Sequence, residues 1–237
     1  MRKFLSMVIA IALVGAPAAS ADSAKSKDRL ENCGMVMQEI LNIPENIPST
    51  LIDKAECVIV IPSVLKAAFI VGGSYGRGAM TCRSGEHFNG KWSSPTMIAL
   101  EGGSVGFQLG AQATDFILLV MNPRGATAIL KSKVKLGADA SAAAGPKGRL
   151  AEADTDVTLR AEILTYSRAR GLFAGVSLEG STVRPDNNGN EDLYGKRVGA
   201  TEIVRSNAVP MPAAAHTLMA ALDKVSPRND SDPRSLR

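Results

Sequence analysis

Residues 71–80 read VGGSYGRGAM, and residues 101–110 read EGGSVGFQLG. Both contain G-x-S-x-G, as Gly72-Ser74-Gly76 and Gly102-Ser104-Gly106. That is the spacing of a hydrolase nucleophile elbow, in which the serine sits on a strained turn between a strand and a helix. The residues after each serine therefore decide the reading. After Ser74 the chain runs YGRGAMTCRSGE, and after Ser104 it runs VGFQLGAQA. A glycine costs a helix about 1 kcal/mol, so neither stretch is expected to start one. The even positions are Gly72, Ser74, Gly76, Gly78 and Met80 in the first, then Gly102, Ser104, Gly106, Gln108 and Gly110 in the second. Val105, Phe107 and Leu109 fill odd positions of the second. Alternation with period two predicts strands with one nearly bare face. Such a face admits a neighbouring backbone, helix or ligand at close range, or lets the sheet bend sharply. It predicts either a cavity lining or a packing seam. His216 completes a formal Ser…Asp…His order, but it falls inside an alanine-rich helical segment. A serine hydrolase using Ser74 or Ser104 is the alternative enzymatic reading.

Outward from the glycines, the flanks alternate between apolar strands and helical pieces. KSKDRLENCGMVMQEIL (25–41) places Leu30, Cys33, Val36, Met37, Ile40 and Leu41 at helical spacing and predicts an amphipathic helix. Pro44 and Pro48 break it, STLIDKA makes a short helix, and ECVIVIP predicts a buried strand stopped by Pro62. ATDFILLVM (113–121) is a further strand, Asn122-Pro123-Arg124-Gly125 is a turn or helix start, and ATAILKS then makes a short helix. KVKLGADASAAAG (133–145) alternates like a strand. VTLRAEILTYSRA and GLFAGVSLEGSTV predict two strands turning about Arg170-Gly171. DNNGNED (186–192) reads as a polar loop and PAAAHTLMAALDKV (212–225) as a helix. Strands in the middle and helices at both ends predict an α+β fold with mixed or antiparallel, Gly-rich, barrel-like sheets.

The first 21 residues, MRKFLSMVIAIALVGAPAASA, have a basic start, a short apolar stretch and a small-residue end. This layout predicts a signal peptide cleaved after Ala21 and a periplasmic or secreted protein. Without Arg2 and Lys3 the chain carries 25 basic against 23 acidic residues, a net charge of +2. That balance argues against a nucleic-acid partner. Residues 22–226 then form a single domain, and PRNDSDPRSLR supplies a disordered tail over 227–237. Cys33, Cys57 and Cys82 allow one disulfide and a free thiol; Cys57, within CVIVI, is expected to be a buried thiol. With two histidines and no C-x-x-C, no metal and no cofactor is expected. G-x-G-x-x-G and G-K-[ST] are absent from the glycine stretches, and DNNGNED lacks EF-hand spacing.

IPSVLKAAFIVGGSYGRGAM, KWSSPTMIALEGGSVGFQLGAQATDFILLVMN, KVKLGADASAAAGPKGR, YSRARGLFAGVSLEGS and the later LYG occur in this order between about Leu30 and Ser226. Together they resemble the SYLF domain. The resemblance implies a non-enzymatic lipid-binding module. In that family eukaryotic members bind phosphoinositides beside SH3 or FYVE domains, and some fungal members bind actin. The expected export argues against carrying over the actin and endocytic roles, and favours an anionic phospholipid as partner. The family's basic N-terminal segment implies lipid contact by Lys25, Lys27 and Arg29, against the plainer expectation that this helix packs its stripe on the core.

A second basic group, Lys131, Lys133 and Lys135, falls on one face if 131–135 is extended. Arg77, Arg83, Lys147, Arg149, Arg168 and Arg170 join it if the strands converge. Each such charge near an anionic surface is worth about 1 kcal/mol. The expected function is binding of anionic phospholipid or phosphoinositide-type lipid at a membrane surface, with acyl-chain entry beneath the bare glycine face as a variant. A structural or interaction protein of the cell envelope is the other alternative.

Overall fold

The alternating runs on either side of the glycines form long strands, because every second residue of each has an apolar layer to enter. The computed structural model describes residues 18–68, 71–105, 112–148, 161–169 and 171–231. The central strands are β1 (Cys57–Ala68), β2 (Val71–Cys82), β3 (Thr96–Val105) and β4 (Gln112–Val120). β5 (Val134–Lys135), β6 (Ala142–Ala144), β7 (Ile163–Ala169), β8 (Leu172–Gly175) and β9 (Thr182–Pro185) extend the sheet. The strand order is β5-β9-β3-β2-β1-β4-β7-β6, with β8 on β7. The described pairings are antiparallel except that of β6 with β7. The sheet is mixed and strongly curled into a half-barrel, with helices toward both ends of the chain, so the fold is α+β.

The helices are α1 (Ala18–Leu41), α2 (Ser49–Asp53), α3 (Pro123–Lys131), α4 (Asn187–Tyr194), α5 (Ala200–Ser206) and α6 (His216–Val225). One face of the sheet offers Val58, Val60, Ala79, Met97, Ile117, Leu119 and Leu164 to the stripes of α1 and α6. The other offers Ile59, Ile61, Met80, Ile98, Leu100, Phe116 and Leu118 to Ala126, Ile129 and Leu130 of α3 and to Ala200 and Val204 of α5. Leu30, Cys33, Val36, Met37 and Ile40, the spaced residues of α1, are all buried there. Each such side chain contributes about 1.5–3 kcal/mol by leaving water. The stripe of α1 is therefore consumed by the core rather than offered to a membrane.

The glycine-rich strands pair in register, Ser74 opposite Gly102 and Gly72 opposite Ser104. Ser74 lies within β2, which continues to Cys82, so it occupies no strand-to-helix elbow; β3 is described one residue past Ser104, and 106–111 lie outside the described residues. What two of the glycines accommodate is the neighbouring strand. A Cβ on Gly78 would meet the carbonyl oxygen of Val60 at 2.0 Å, and one on Gly76 would meet Val64 Cγ2 at 2.5 Å. There β1 is bulged, its register shifting between Ile61 and Val64 on the β4 side. Pro62, expected to stop β1, sits in this bulge instead, where no ladder hydrogen bond is required of it. The strand runs on to Ala68. Ser63 beside it has φ of 50° and donates its backbone N–H to Asp115 Oδ1 at 2.9 Å. The glycines thus seat a bent strand, which is the packing-seam outcome at Gly76 and Gly78; Gly106–Gly110 lie outside the described residues.

Other expectations change as well. Residues 133–145 do not form one strand: β5 and β6 flank a turn closed by Gly137 at φ of 85°. DNNGNED is helical rather than a loop. Asp186 caps α4 by accepting from the N–H of Gly189 at 3.1 Å, and Gly195 ends it in the left-handed region. Cys57 is disulfide-bonded to Cys82, its directly opposite partner on β2, while Cys33 is the free, buried thiol. The tail begins folded. Ser226 and Asn229 are buried, Asn229 Nδ2 donates to Glu56 and to the carbonyl of Phe88, and the backbone N–H of Asp230 reaches Asp53 O at 2.8 Å. Only 232–237 lie beyond the described part of it. The expected signal peptide also falls mostly outside, with 1–17 undescribed and α1 running through Ala21.

Candidate anion-binding face

β1 and β2 carry apolar side chains under α1 only along their inner halves. Toward the far end of the same face the residues become Leu65, Tyr75, Arg77, Glu101, Asp115, Arg168 and Arg184. The register places Leu65 opposite Tyr75, Tyr75 opposite Glu101 and Asp115 opposite Arg168. α1 marks the boundary. Its Arg29 lines a cleft with Arg77 of β2, and its Glu39 pairs with Arg168 of β7.

Two clefts open on this face and share Tyr75 and Arg77. One, about 390 Å³, is lined by Lys25, Asp28, Arg29, Asn32, Pro62, Ser63, Leu65 and Gly76 besides those two. The other, about 660 Å³, adds Asp22, Arg184, Asp186, Glu191 and Asp192, with the first residues of α4. Arg77 is tied to Asp186 through both Nε and Nη2. Arg184 is tied to Glu101 at 2.6 Å, and that hydrogen bond raises its pKa. Arg29 is different. Its Nη1 is buried and makes no hydrogen bond with a described residue. Burial first and the nearby Arg77 second push its pKa down. A guanidinium with an unmet buried donor beside a second guanidinium favours an anion at that point.

The basic residues singled out in the sequence do not form one surface. Lys25, Arg29 and Arg77 come together at the smaller cleft, with Lys25 also bonded to Asp22 at 3.1 Å. Lys27 is exposed on α1 outside the cleft lining. Arg168 is neutralised by Asp115 and Glu39; burial works against its charge, but hydrogen bonds to these two carboxylates outweigh it and raise the pKa. Arg83 is fully buried, its guanidinium 3.7 Å above the Trp92 ring, with Nη2 donating to Ser226 and to the carbonyl of Arg228. It fastens the C-terminal segment and presents no charge at the surface. Burial lowers its pKa to about 10. Lys131, Lys133 and Lys135 are exposed, but Lys131 ends α3 and only 134–135 are extended, so they are not one five-residue strand face. Lys147 is 3.5 Å from Glu45; Arg149 and Arg170 lie outside the described residues.

Sequence reasoning missed the aromatic and apolar partners of these cations. Leu65 is 61% exposed, Tyr75 49% and Leu172 78%. All three stand at one end of the sheet, since Leu65 pairs with Tyr75 and Leu172 with Ala169, next to the Arg168–Asp115 rung. The signal was present in the strand alternation: an apolar residue opposite an aromatic one, beyond the last position that α1 covers. Among the described residues no group of three or more His, Cys, Asp and Glu could hold a metal ion, and no described helix is long and apolar enough to cross a membrane.

Residues 101–225, from β3 through α6, match the family model described as Ysc84: Las17-binding protein actin regulator. The chain belongs to this family. The Ysc84 relatives include SH3 domain-containing YSC84-like protein 1 of Homo sapiens, 33% identical over 187 residues, which cover 78% of this chain and 53% of that protein. An SH3 domain-containing protein of Schizosaccharomyces pombe is 35% identical over 190 residues, covering 78% of this chain and 43% of its own length. Protein YSC84 of Saccharomyces cerevisiae is 31% identical over 188 residues, covering 78% and 39%. The chain thus spans about half or less of the length of these relatives. The Ysc84 resemblance coincides with the SYLF reading of the motifs.

Proposed function

We propose that the protein is a non-enzymatic module that docks on membranes carrying anionic phospholipid, using the sheet end where Leu65, Tyr75 and Leu172 are exposed. The observation that carries this reading is the exposure of Leu65 and Tyr75 in the lining of the cleft that holds Lys25, Arg29 and Arg77, with Leu172 exposed on β8 at the same end of the sheet. Apolar tips give a bilayer surface something to bury, and basic groups beside them meet lipid phosphates. Each cation contributes about 1 kcal/mol near such a surface, and burying one leucine adds about 1.5–3 kcal/mol. Neither suffices alone; together they support reversible binding. Lys131, Lys133 and Lys135 add a longer-range attraction from the β5 side of the sheet.

Export supports the same reading. The first 21 residues have a secretory layout, and a disulfide between Cys57 and Cys82 suits an oxidising compartment. In that setting the partner is an envelope phospholipid. The Las17 binding, actin regulation and SH3 domains in the family's and relatives' descriptions are not proposed for this chain.

The test is co-sedimentation of the chain from Asp22 onward with neutral and anionic vesicles, at low and high salt. The expected result is binding to anionic vesicles only, weakened by salt. Leu65→Ser with Leu172→Ser is expected to weaken it about tenfold or more, and Lys131→Ala, Lys133→Ala, Lys135→Ala to reduce it mainly at low salt. Equal binding to neutral and anionic vesicles would remove the electrostatic part. No binding to either would leave a protein-interaction role in the envelope as the better account.

A further inference from the structure

The smaller cleft offers more than a general attraction to charge, and the ligand assigned to it here rests on the membrane-docking reading. Arg29 enters it from α1 and Arg77 from β2. Two carboxylates bear on this pair: Asp186 is already engaged, accepting the N–H of Gly189 with one oxygen and Arg77 with the other, and Asp28 lines the same cleft, offsetting one of its three cations, Lys25, Arg29 and Arg77. Nη1 of Arg29 is left buried and without a hydrogen-bond acceptor among the described residues. Lys25 and Asn32 from α1 add further donors to the same lining, and Leu65 and Pro62 give it an apolar side. We infer that this cleft is a binding site for a single phosphate group, held by Arg29 with Arg77, and that its ligand is a simple phosphoester rather than a multiply phosphorylated headgroup.

The restriction to one phosphate comes from the neighbouring cleft. Beyond Tyr75 and Arg77 lie Asp22, Asp186, Glu191 and Asp192, against only Arg77 and Arg184. Arg184 is neutralised by Glu101. A second phosphate reaching past Arg77 would meet carboxylates, and repulsion there makes it unfavourable. On the opposite side the exposed Leu65 offers apolar contact to the glycerol and the start of an acyl chain. A phosphoester with one charged end and one apolar end fits that polarity.

The same phosphate chemistry belongs to a lipid headgroup and to a free phosphoester, so the experiment has arms for both. The chain from Asp22 onward is titrated with inorganic phosphate, glycerol 3-phosphate and inositol trisphosphate, and the amide and arginine side-chain shifts are followed by NMR. Vesicles containing phosphatidate are tested in parallel by co-sedimentation. We expect glycerol 3-phosphate to shift Arg29, Asn32 and Tyr75, and the trisphosphate to bind no more than a few-fold tighter. Arg29→Met is expected to weaken glycerol 3-phosphate binding about tenfold or more. Arg29→Lys, which keeps the charge but loses the planar fork, should fall between. Glu191→Gln with Asp192→Asn should favour the trisphosphate selectively.

Shifts confined to other residues, unaltered affinity in Arg29→Met, or a trisphosphate more than about tenfold tighter than glycerol 3-phosphate would each overturn the site. Mapping on the unmodified protein makes the result independent of how well a variant folds. Phosphoester binding at Arg29 without vesicle binding would support the site, assign it to a free ligand and remove the membrane reading. Vesicle binding that survives Arg29→Met, with no phosphoester binding, would remove the site and leave the membrane reading standing.

Discussion

Cys33 and Arg83 show how much of the chemistry suggested by composition is spent inside the molecule. The Cys33 thiol is buried on α1 and donates to the carbonyl of Val60 at 3.3 Å. Burial raises its pKa from 9.0 to about 12. Between those values the unfolded chain has released the proton while the native one holds it, so stability falls as pH rises through that window. The slope from this one group reaches about 1.4 kcal/mol per pH unit. Denaturant titrations between about pH 9 and 11 should show it, and Cys33→Ala should flatten the dependence; an unchanged slope would show that other groups set it. Arg83 was legible in the sequence as a cation and nothing more. Its burial under the C-terminal segment follows from Ser226, Arg228 and Trp92, partners separated from it by up to 145 residues, and no local pattern carries that distance.

Elements were legible where one face had a clear apolar partner. The stripe of α1, the runs of β1 and β4 and the Asn122-capped α3 follow the periodicity closely. The misreadings share a cause. At Pro62 and in residues 133–145, the local rule was overridden by a bulge or a turn whose need arises from a neighbouring strand. In DNNGNED the cap residues Asp186 and Gly195 flank a polar helix with little apolar pattern to announce it. The bare face of β2 was visible from Gly72 to Gly78, but not what fills it. That filling sets up a contrast between Gly78 and Gly73 on the same strand. Gly78→Ala drives a methyl into the β1 backbone, with Val60 O at 2.0 Å and Ile61 Cα at 2.7 Å. It should destabilise by about 3 kcal/mol or prevent folding. Among the described residues Gly73→Ala meets nothing nearer than Gly102 O at 3.8 Å and should stay within about 0.5 kcal/mol of the parent. Thermal and urea melts of the pair would decide it; equal effects would mean that strand entropy, not the bulge, governs these positions.

For the molecule as a whole, the α+β class and the helices at both ends could be read from the order of elements, whereas the half-barrel curl could not. Curl depends on the β1 bulge and on which strands meet across the sheet. The candidate site was partly legible: Lys25, Arg29 and Arg77 were named as cations, but their convergence depends on α1 crossing the sheet. The fold is also closed by its own end. Removing residues 226–237 would strip Arg83 of its described acceptors and Glu56 of Asn229 and Ser231, leaving buried charge without those hydrogen bonds. Such truncation should destabilise by about 3 kcal/mol or more, read as a lower urea midpoint; an unchanged midpoint would show that the segment does not hold the fold. The disulfide between Cys57 and Cys82 has a topological consequence of its own. It converts residues 57–82 into a covalent ring with the two halves of the chain as its tails. A protease that cuts once inside that ring opens it without releasing a fragment, so the two central strands and everything attached to them stay one molecule until a reductant arrives.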